Sequence, residues 1–246
     1  MPLLAMLVEV IACSPEEITA VQQGGADRIE LCCALEVGGL TPSKALFEFA
    51  KEGTTPVAAM VRPRTGGYQY NPAEIDFICR EINWFAKAKA DFIVVGASNP
   101  DDTLNLGAMK KFQDAAAGTP MVCHRVFDQT PNLEQALEQL IALGYRRTLT
   151  SGAQKTAAEG AETIGKLVKL AGSDIEIAPA AGIRYHNVQA LIAATGVTQI
   201  HASVIAAPEP RTPKPVDFGP TPRVLAEEVR RFVQAAKGVS SHTDSR

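Results

Sequence analysis

The sequence predicts an α/β fold, a single (β/α)8 TIM barrel, on three observations. Eight short strand-like runs follow one another, at residues 7–12, 28–32, 57–62, 92–96, 121–127, 148–151, 175–179 and 199–203. Between them lie stretches with helical spacing of apolar residues, and alternation of strand and helix implies parallel strands joined by crossovers. The helix starts repeat one signature, a capping side chain ahead of a proline. Eight such units in 246 residues match the barrel. The rival, an open doubly wound sheet, would carry a GxGxxG turn after the first strand, and this sequence has none there. No composition break marks a second domain, so residues 1–246 read as one, with the barrel at about 7–237 and a flexible tail at 238–246.

In chain order, the first run is apolar except for Glu9, and Ser14-Pro15 then opens a helix with Glu17 at capping-box spacing. The second run alternates, with Arg28, Glu30 and Cys32 on one face and Ile29 and Leu31 on the other. A Gly38-Gly39 turn leads to Thr41-Pro42, read as N-cap and first helical position. The third run ends at Arg62, with Arg64 just beyond, and Asn71-Pro72 with Glu74 starts a helix carrying Ile75, Ile78, Ile82 and Phe85. The fourth ends at Gly96, before a further start at Asn99-Pro100. The fifth brings His124, with Arg125 and Asp128 close behind, and Thr130-Pro131 precedes Leu133, Leu137 and Leu140. The sixth brings Thr150 inward, then Ser151-Gly152, before Ile164, Leu167 and Val168. The seventh runs into Pro179-Ala180-Ala181-Gly182, and the eighth offers His201. Thr221-Pro222, after a proline-rich loop, opens a last helix at about 223–237.

Composition narrows the function classes. The net charge is −3 with charges well mixed, so no basic stripe points to nucleic acid or to a membrane surface. The apolar start of the chain meets Glu9 at once and reads as lead-in to a strand, and no stretch approaches a membrane-spanning length. Five cysteines, an odd number without a CxxC pair, suit reduced thiols and a cytoplasmic location.

In a barrel, chemistry sits at the C-terminal ends of the strands. Period-two reading of those ends collects Glu9, Glu30, Arg62, His124 and His201, and strands about 4.8 Å apart make His201, Glu9, Glu30 and Arg62 a contiguous charged arc. Two adjacent carboxylates raise one another's pKa while Arg62 lowers that of Glu30, and unlike environments for two acids are what acid–base chemistry uses. An internal salt-bridge ring without a ligand is the structural alternative. Arg125 and Asp128 bind a ligand or pin their loop. Thr150, Ser151 and Gly152 offer hydroxyls and backbone donors to an anion or cap the next helix. Cys32 points inward beside Glu30, where it is either an inert core thiol or a ligand for a soft metal such as Cu(I). Cys13 joins it only if the loop after strand one folds over. Cys33, Cys79 and Cys123 face away or into apolar surroundings.

Several separate motifs, in this order, resemble the CutC family: Glu9-Val10, Gly24-Gly25-Ala26-Asp27-Arg28-Ile29-Glu30-Leu31-Cys32, Gly38-Gly39-Leu40-Thr41-Pro42-Ser43, Arg62-Pro63-Arg64, His124-Arg125-Val126-Phe127-Asp128, Leu149-Thr150-Ser151-Gly152 and His201-Ala202-Ser203. The resemblance covers about residues 7–204. It implies a cytoplasmic barrel that assembles as a homo-oligomer, a dimer or tetramer, with a role in copper homeostasis and Cu(I) binding through cysteines. Cys32 is the matching thiol. Ile11 stands where the family commonly has a cysteine, and Ala180-Ala181 replace glycines of the family's turn, leaving Gly182. Two functions follow as expectations. One is a copper-handling protein using Cys32, with Cys13 as a second thiol. The other is an enzyme acting on a small anionic metabolite held by Arg62 and Arg64, with Glu9 or Glu30 and a histidine moving protons.

Overall fold

The computed structural model describes residues 6–207, 212, 216 and 223–238. Eight strands alternate with eight helices: β1 (Leu7–Ala12), α1 (Pro15–Gln23), β2 (Arg28–Leu31), α2 (Lys44–Lys51), β3 (Val57–Met60), α3 (Pro72–Lys87), β4 (Phe92–Val94), α4 (Leu106–Ala115), β5 (Met121–Cys123), α5 (Leu133–Ala142), β6 (Arg147–Thr150), α6 (Ala161–Ala171), β7 (Glu176–Pro179), α7 (Val188–Thr195), β8 (Gln199–Ala202) and α8 (Ala226–Lys237). All pairings are parallel, in the order β7-β6-β5-β4-β3-β2-β1-β8. The sheet curls into the expected (β/α)8 barrel, nearly closed. At its seam β7 and β8 lie side by side without a backbone ladder, and Gln199 Nε2 donates to Glu176 Oε2 across it at 2.8 Å.

Alternate strand residues face the helices and build the main core. Val8, Val10, Ile29, Leu31, Val57 and Ile93 pack there against Ile18, Phe47, Ile78, Ile82 and Phe112. The other strand face fills the barrel, where Ile11, Cys32, Ala58, Met60, Val94, Val122 and Leu149 form a second, smaller apolar cluster. Below it lies a charged layer, described with the site.

Several boundaries differ from expectation for local reasons. Ser14 caps α1 by accepting from Glu17 N–H, but the Glu17 carboxylate accepts from Cys13 N–H, so the capping box is shifted by one residue. Asn71 and Glu74 form the expected reciprocal box at α3. Thr41 and Thr130 are not caps. Thr41 Oγ1 is engaged with the Arg62 backbone and Thr130 Oγ1 donates to Phe127 carbonyl, so the polar residue after each proline, Ser43 or Asn132, takes the cap instead. Asn99 holds a turn with Thr103, and Asn105 caps α4. Thr221-Pro222 and residues 239–246 lie outside the described residues. Strand five stops at Cys123 rather than 127, because His124 Nδ1 accepts from Val126 N–H and the chain turns into a 3-10 segment, Arg125–Gln129. Strand six begins one residue earlier than expected, at Arg147.

Candidate functional site

That one-residue extension matters, because a strand's faces alternate. Arg147 and Leu149 face the barrel interior, so Thr150 does not, contrary to expectation; its hydroxyl donates to Asp128 instead. Arg147 enters the charged layer. There Glu9 is the common acceptor: from Arg28 Nε, from Arg147 Nη2 at 2.7 Å and from His201 Nδ1 at 2.8 Å. Gln199 Oε1 accepts from both guanidiniums, at 2.9 Å and 3.1 Å. The ring of Phe92 lies under them, 4.7 Å from Arg28 Cζ and 5.4 Å from Arg147 Cζ. Burial raises the carboxyl pKa of Glu9, but Arg28 and the His201 hydrogen bond outweigh it and hold Glu9 ionised.

Glu30 stands one layer higher, on the neighbouring strand. His201 Nε2 lies 3.7 Å from its Oε2, and its Oε1 is buried with no hydrogen-bond partner. Burial, opposed by His201 and reinforced by Glu9, pushes the Glu30 carboxyl up to about 7. His201 moves upward as well: burial disfavours its charge, yet the Glu30 carboxylate and the bond to Glu9 prevail. Unlike environments for the two acids are therefore present, but the arginine responsible is Arg28, acting on Glu9. Arg62 does not touch Glu30. Its guanidinium donates to the carbonyls of Val37 (2.8 Å), Gly39 (3.2 Å) and Gly66 (2.6 Å), so it ties down the β2–α2 and β3–α3 loops. It also stacks on Tyr68, 4.9 Å from the ring centroid.

A cavity of about 250 Å³ opens above this layer, lined among others by Glu30, His201, Met60, Tyr68, His124 and Gly182. Because His124 Nδ1 accepts from Val126 N–H at 3.2 Å, the ring proton sits on Nε2, which is buried and without a partner. Burial, helped by Arg62, depresses His124 to about 3, so the imidazole is neutral. Tyr68 packs on it, ring centroids 4.4 Å apart.

The remaining expected site residues divide. Asp128, Thr150, Ser151 and Gly152 do come together, but mostly to satisfy one another. Asp128 accepts from Thr150 Oγ1 (2.6 Å), Ser151 N–H (2.9 Å) and Arg125 Nε (2.9 Å), and Gly152 N–H donates to Thr150 Oγ1 (2.8 Å). Of this knot Arg125 reaches the cavity wall. Arg64 is engaged by Glu74 and by loop carbonyls, outside the cavity. Ala181 and Gly182 both adopt left-handed backbone, φ 80° and 69°, so the alanine substitution left the turn's conformation in place.

Two thiols complete the site. The loop after β1 does fold over, bringing Cys13 Sγ to 3.5 Å from Cys32 Sγ without a disulfide. Cys32 is fully buried in the interior cluster with Ile11 and Met60, whereas Cys13 is half-buried at its edge. The Cys13 hydrogen bond, burial and nearby Glu30 drive the Cys32 thiol far upward, so its proton stays until something displaces it. Glu9, Glu30 and His201 also present three ligand atoms within 4.8 Å of one another. A cation there would face the two arginines already bound to Glu9.

Arg147, Gln199, Tyr68 and Arg184, which also lines the cavity, were not singled out among the sequence's site residues. Extending the alternation of Arg147-Thr148-Leu149-Thr150 back by one residue identifies Arg147. Nothing local marks the others.

Comparison with known proteins agrees with the fold and gives the family. The chain is 37% identical over 230 residues to a family protein CutC of Rhizobium meliloti (strain 1021), covering 94% of this chain and 92% of that one. With a CutC family protein of Agrobacterium fabrum it shares 40% over 203 residues, 82% of this chain and 81% of the other. The crystal structure of the putative copper homeostasis protein CutC from Streptococcus agalactiae superposes with a TM-score of 0.77 at 31% identity, covering 80% of this chain and 98% of that chain. Thiamine phosphate pyrophosphorylase from Pyrococcus furiosus, at TM-score 0.57 and 15% identity, shares the fold alone. The CutC family model matches residues 6–206, from β1 through the end of β8, and this chain belongs to the CutC family.

Proposed function

We propose that this protein handles Cu(I) in copper homeostasis, with Cys13 and Cys32 as the ligands. The observation that carries the reading is the 3.5 Å approach of two reduced sulfurs contributed by different strand ends. Soft thiolates select Cu(I). The half-buried Cys13 supplies a route inward, and the Cys32 thiol supplies a proton for the metal to displace. The name given to the Streptococcus agalactiae relative points the same way. Ile11 stands where the resemblance expects a cysteine, and Cys13, two residues further on, is the thiol that reaches Cys32. Reduced thiols suit a cytoplasmic location, and exposed Phe49 and Phe77, on the adjacent helices α2 and α3, offer apolar surface for a homo-oligomer.

Anaerobic titration of the reduced protein with Cu(I) against a competing chelator tests this. One equivalent should bind tightly, with affinity rising as pH rises. Cys32→Ala or Cys13→Ala should each weaken it by at least ~100-fold, since each removes half of the thiolate set. Weak binding unchanged by either substitution would overturn the reading.

A further inference from the structure

The copper reading leaves the cavity unexplained. Most polar side chains on its wall have internal partners: Arg125 with Asp128 and Ser151, and His201 with Glu9. Two stand apart. Glu30 and His124 each line the cavity and keep one buried polar atom with no partner among the described residues, Oε1 of the acid and Nε2–H of the imidazole. They project from β2 and from just past β5, strands separated in the sheet by β3 and β4. One is an acceptor and the other a neutral donor. A buried, unsatisfied polar group is costly and persists where a ligand supplies the partner.

We infer that the cavity is a catalytic site for proton transfer at the carbon next to a carbonyl, with Glu30 as the base and His124 as the donor to the carbonyl oxygen, acting on a small anionic carbonyl compound. The step balances without a co-reactant. Glu30 takes the proton from the carbon, the C–H electron pair forms the C=C bond of an enolate, and the carbonyl π pair moves to oxygen, where His124 Nε2–H donates to it. Glu30 then returns the proton to the same carbon, giving exchange with solvent. A neutral imidazole is the right donor, since it stabilises the oxyanion without first giving up its own proton, and a carboxyl oxygen that no other described group engages is placed to take a proton and return it.

Size and charge narrow the substrate. A cavity of about 250 Å³ lies just below the range for drug-sized ligands, about 300–1,000 Å³, so the substrate has few carbons. Arg184, on the rim beside the left-handed Ala181-Gly182 turn, has no carboxylate partner among the described residues and provides a cation for a phosphate or carboxylate. Interior Tyr68 and Met60 cover the apolar sides.

The test is exchange of the hydrogen next to the carbonyl in D2O, followed by proton NMR. The probes are dihydroxyacetone phosphate, glycolaldehyde phosphate, pyruvate and 2-oxobutyrate. At least one probe should exchange far faster than in buffer alone. Glu30→Gln should abolish this, a loss of ~10²–10⁴-fold. His124→Asn, which keeps an acceptor for Val126 N–H, should lose ~10²–10³-fold. The rate should be unchanged when a strong Cu(I) chelator is present, which separates this activity from copper binding. Thermal melting would confirm that each variant is folded, and Glu30→Asp offers a second, milder change at the base. No exchange with any probe, or exchange that survives Glu30→Gln, would overturn the inference.

Discussion

Glu9 and Glu30 show how one residue type acquires opposite roles a few ångströms apart. Glu9 is bound by two guanidiniums and an imidazolium, and its charge is part of the fold. Breaking a buried pair from one side leaves an uncompensated charge, so Arg147→Ala should cost about 3–5 kcal/mol in urea unfolding. Because the folded-state pKa of Glu9 is lowered, its contribution is present above the ordinary carboxylate range and is lost as pH falls through its folded value. Removing Arg28, the largest influence that lowers it, should therefore move acid unfolding to higher pH. Glu30 has the reverse sign. Its folded-state pKa is raised to about 7, so its burial favours folding most below the ordinary carboxylate pKa, and stability declines as pH rises toward 7. Glu30→Gln should then raise the melting temperature at pH 8, by a few degrees, and make little difference at pH 4, as read by calorimetry.

At the scale of elements, the turn after β7 is where backbone and sequence disagree. Ala181 occupies φ 80°, a conformation that costs an L residue about 1–2 kcal/mol, against about 0.4–1 kcal/mol for the extra unfolded-state freedom of glycine. Ala181→Gly should stabilise the protein by about 0.5–1 kcal/mol in chemical denaturation. The helix starts carry a second lesson. Ser14-Pro15 and Asn71-Pro72 start helices as expected, but at Thr41-Pro42 and Thr130-Pro131 the cap comes after the proline, and after Asn99-Pro100 it comes at Asn105. A threonine hydroxyl can serve a neighbouring carbonyl as readily as a helix end, and only the fold of the loop decides which is in reach.

For the whole molecule, the barrel's weakest line is the seam between β7 and β8, where side chains meet but backbone groups do not pair. β1, in contrast, is laddered on both sides. Native-state hydrogen exchange should protect β1 and β2 most and release amides of β7 and β8 earlier. The thiol pair and Glu30 both lie on the β1–β2 side, so both candidate chemistries are built on the firmer part of the barrel.

Local pattern by itself determined the eight βα units, the inward direction of Glu9, Glu30, Cys32, His124 and His201, and the end of the barrel where they gather. Period-two alternation and helical spacing are properties of neighbouring residues, and they survive without knowledge of the partner. Partnership was decided by the tertiary structure alone. Arg62, expected beside Glu30, is drawn off by three loop carbonyls; Arg147, far away in the chain, reaches Glu9 instead; and Cys13 meets Cys32 because Glu17 holds the intervening loop. A long side chain reaches several candidate partners, and which of them lies within hydrogen-bonding distance depends on the closure of the barrel, to which every strand contributes.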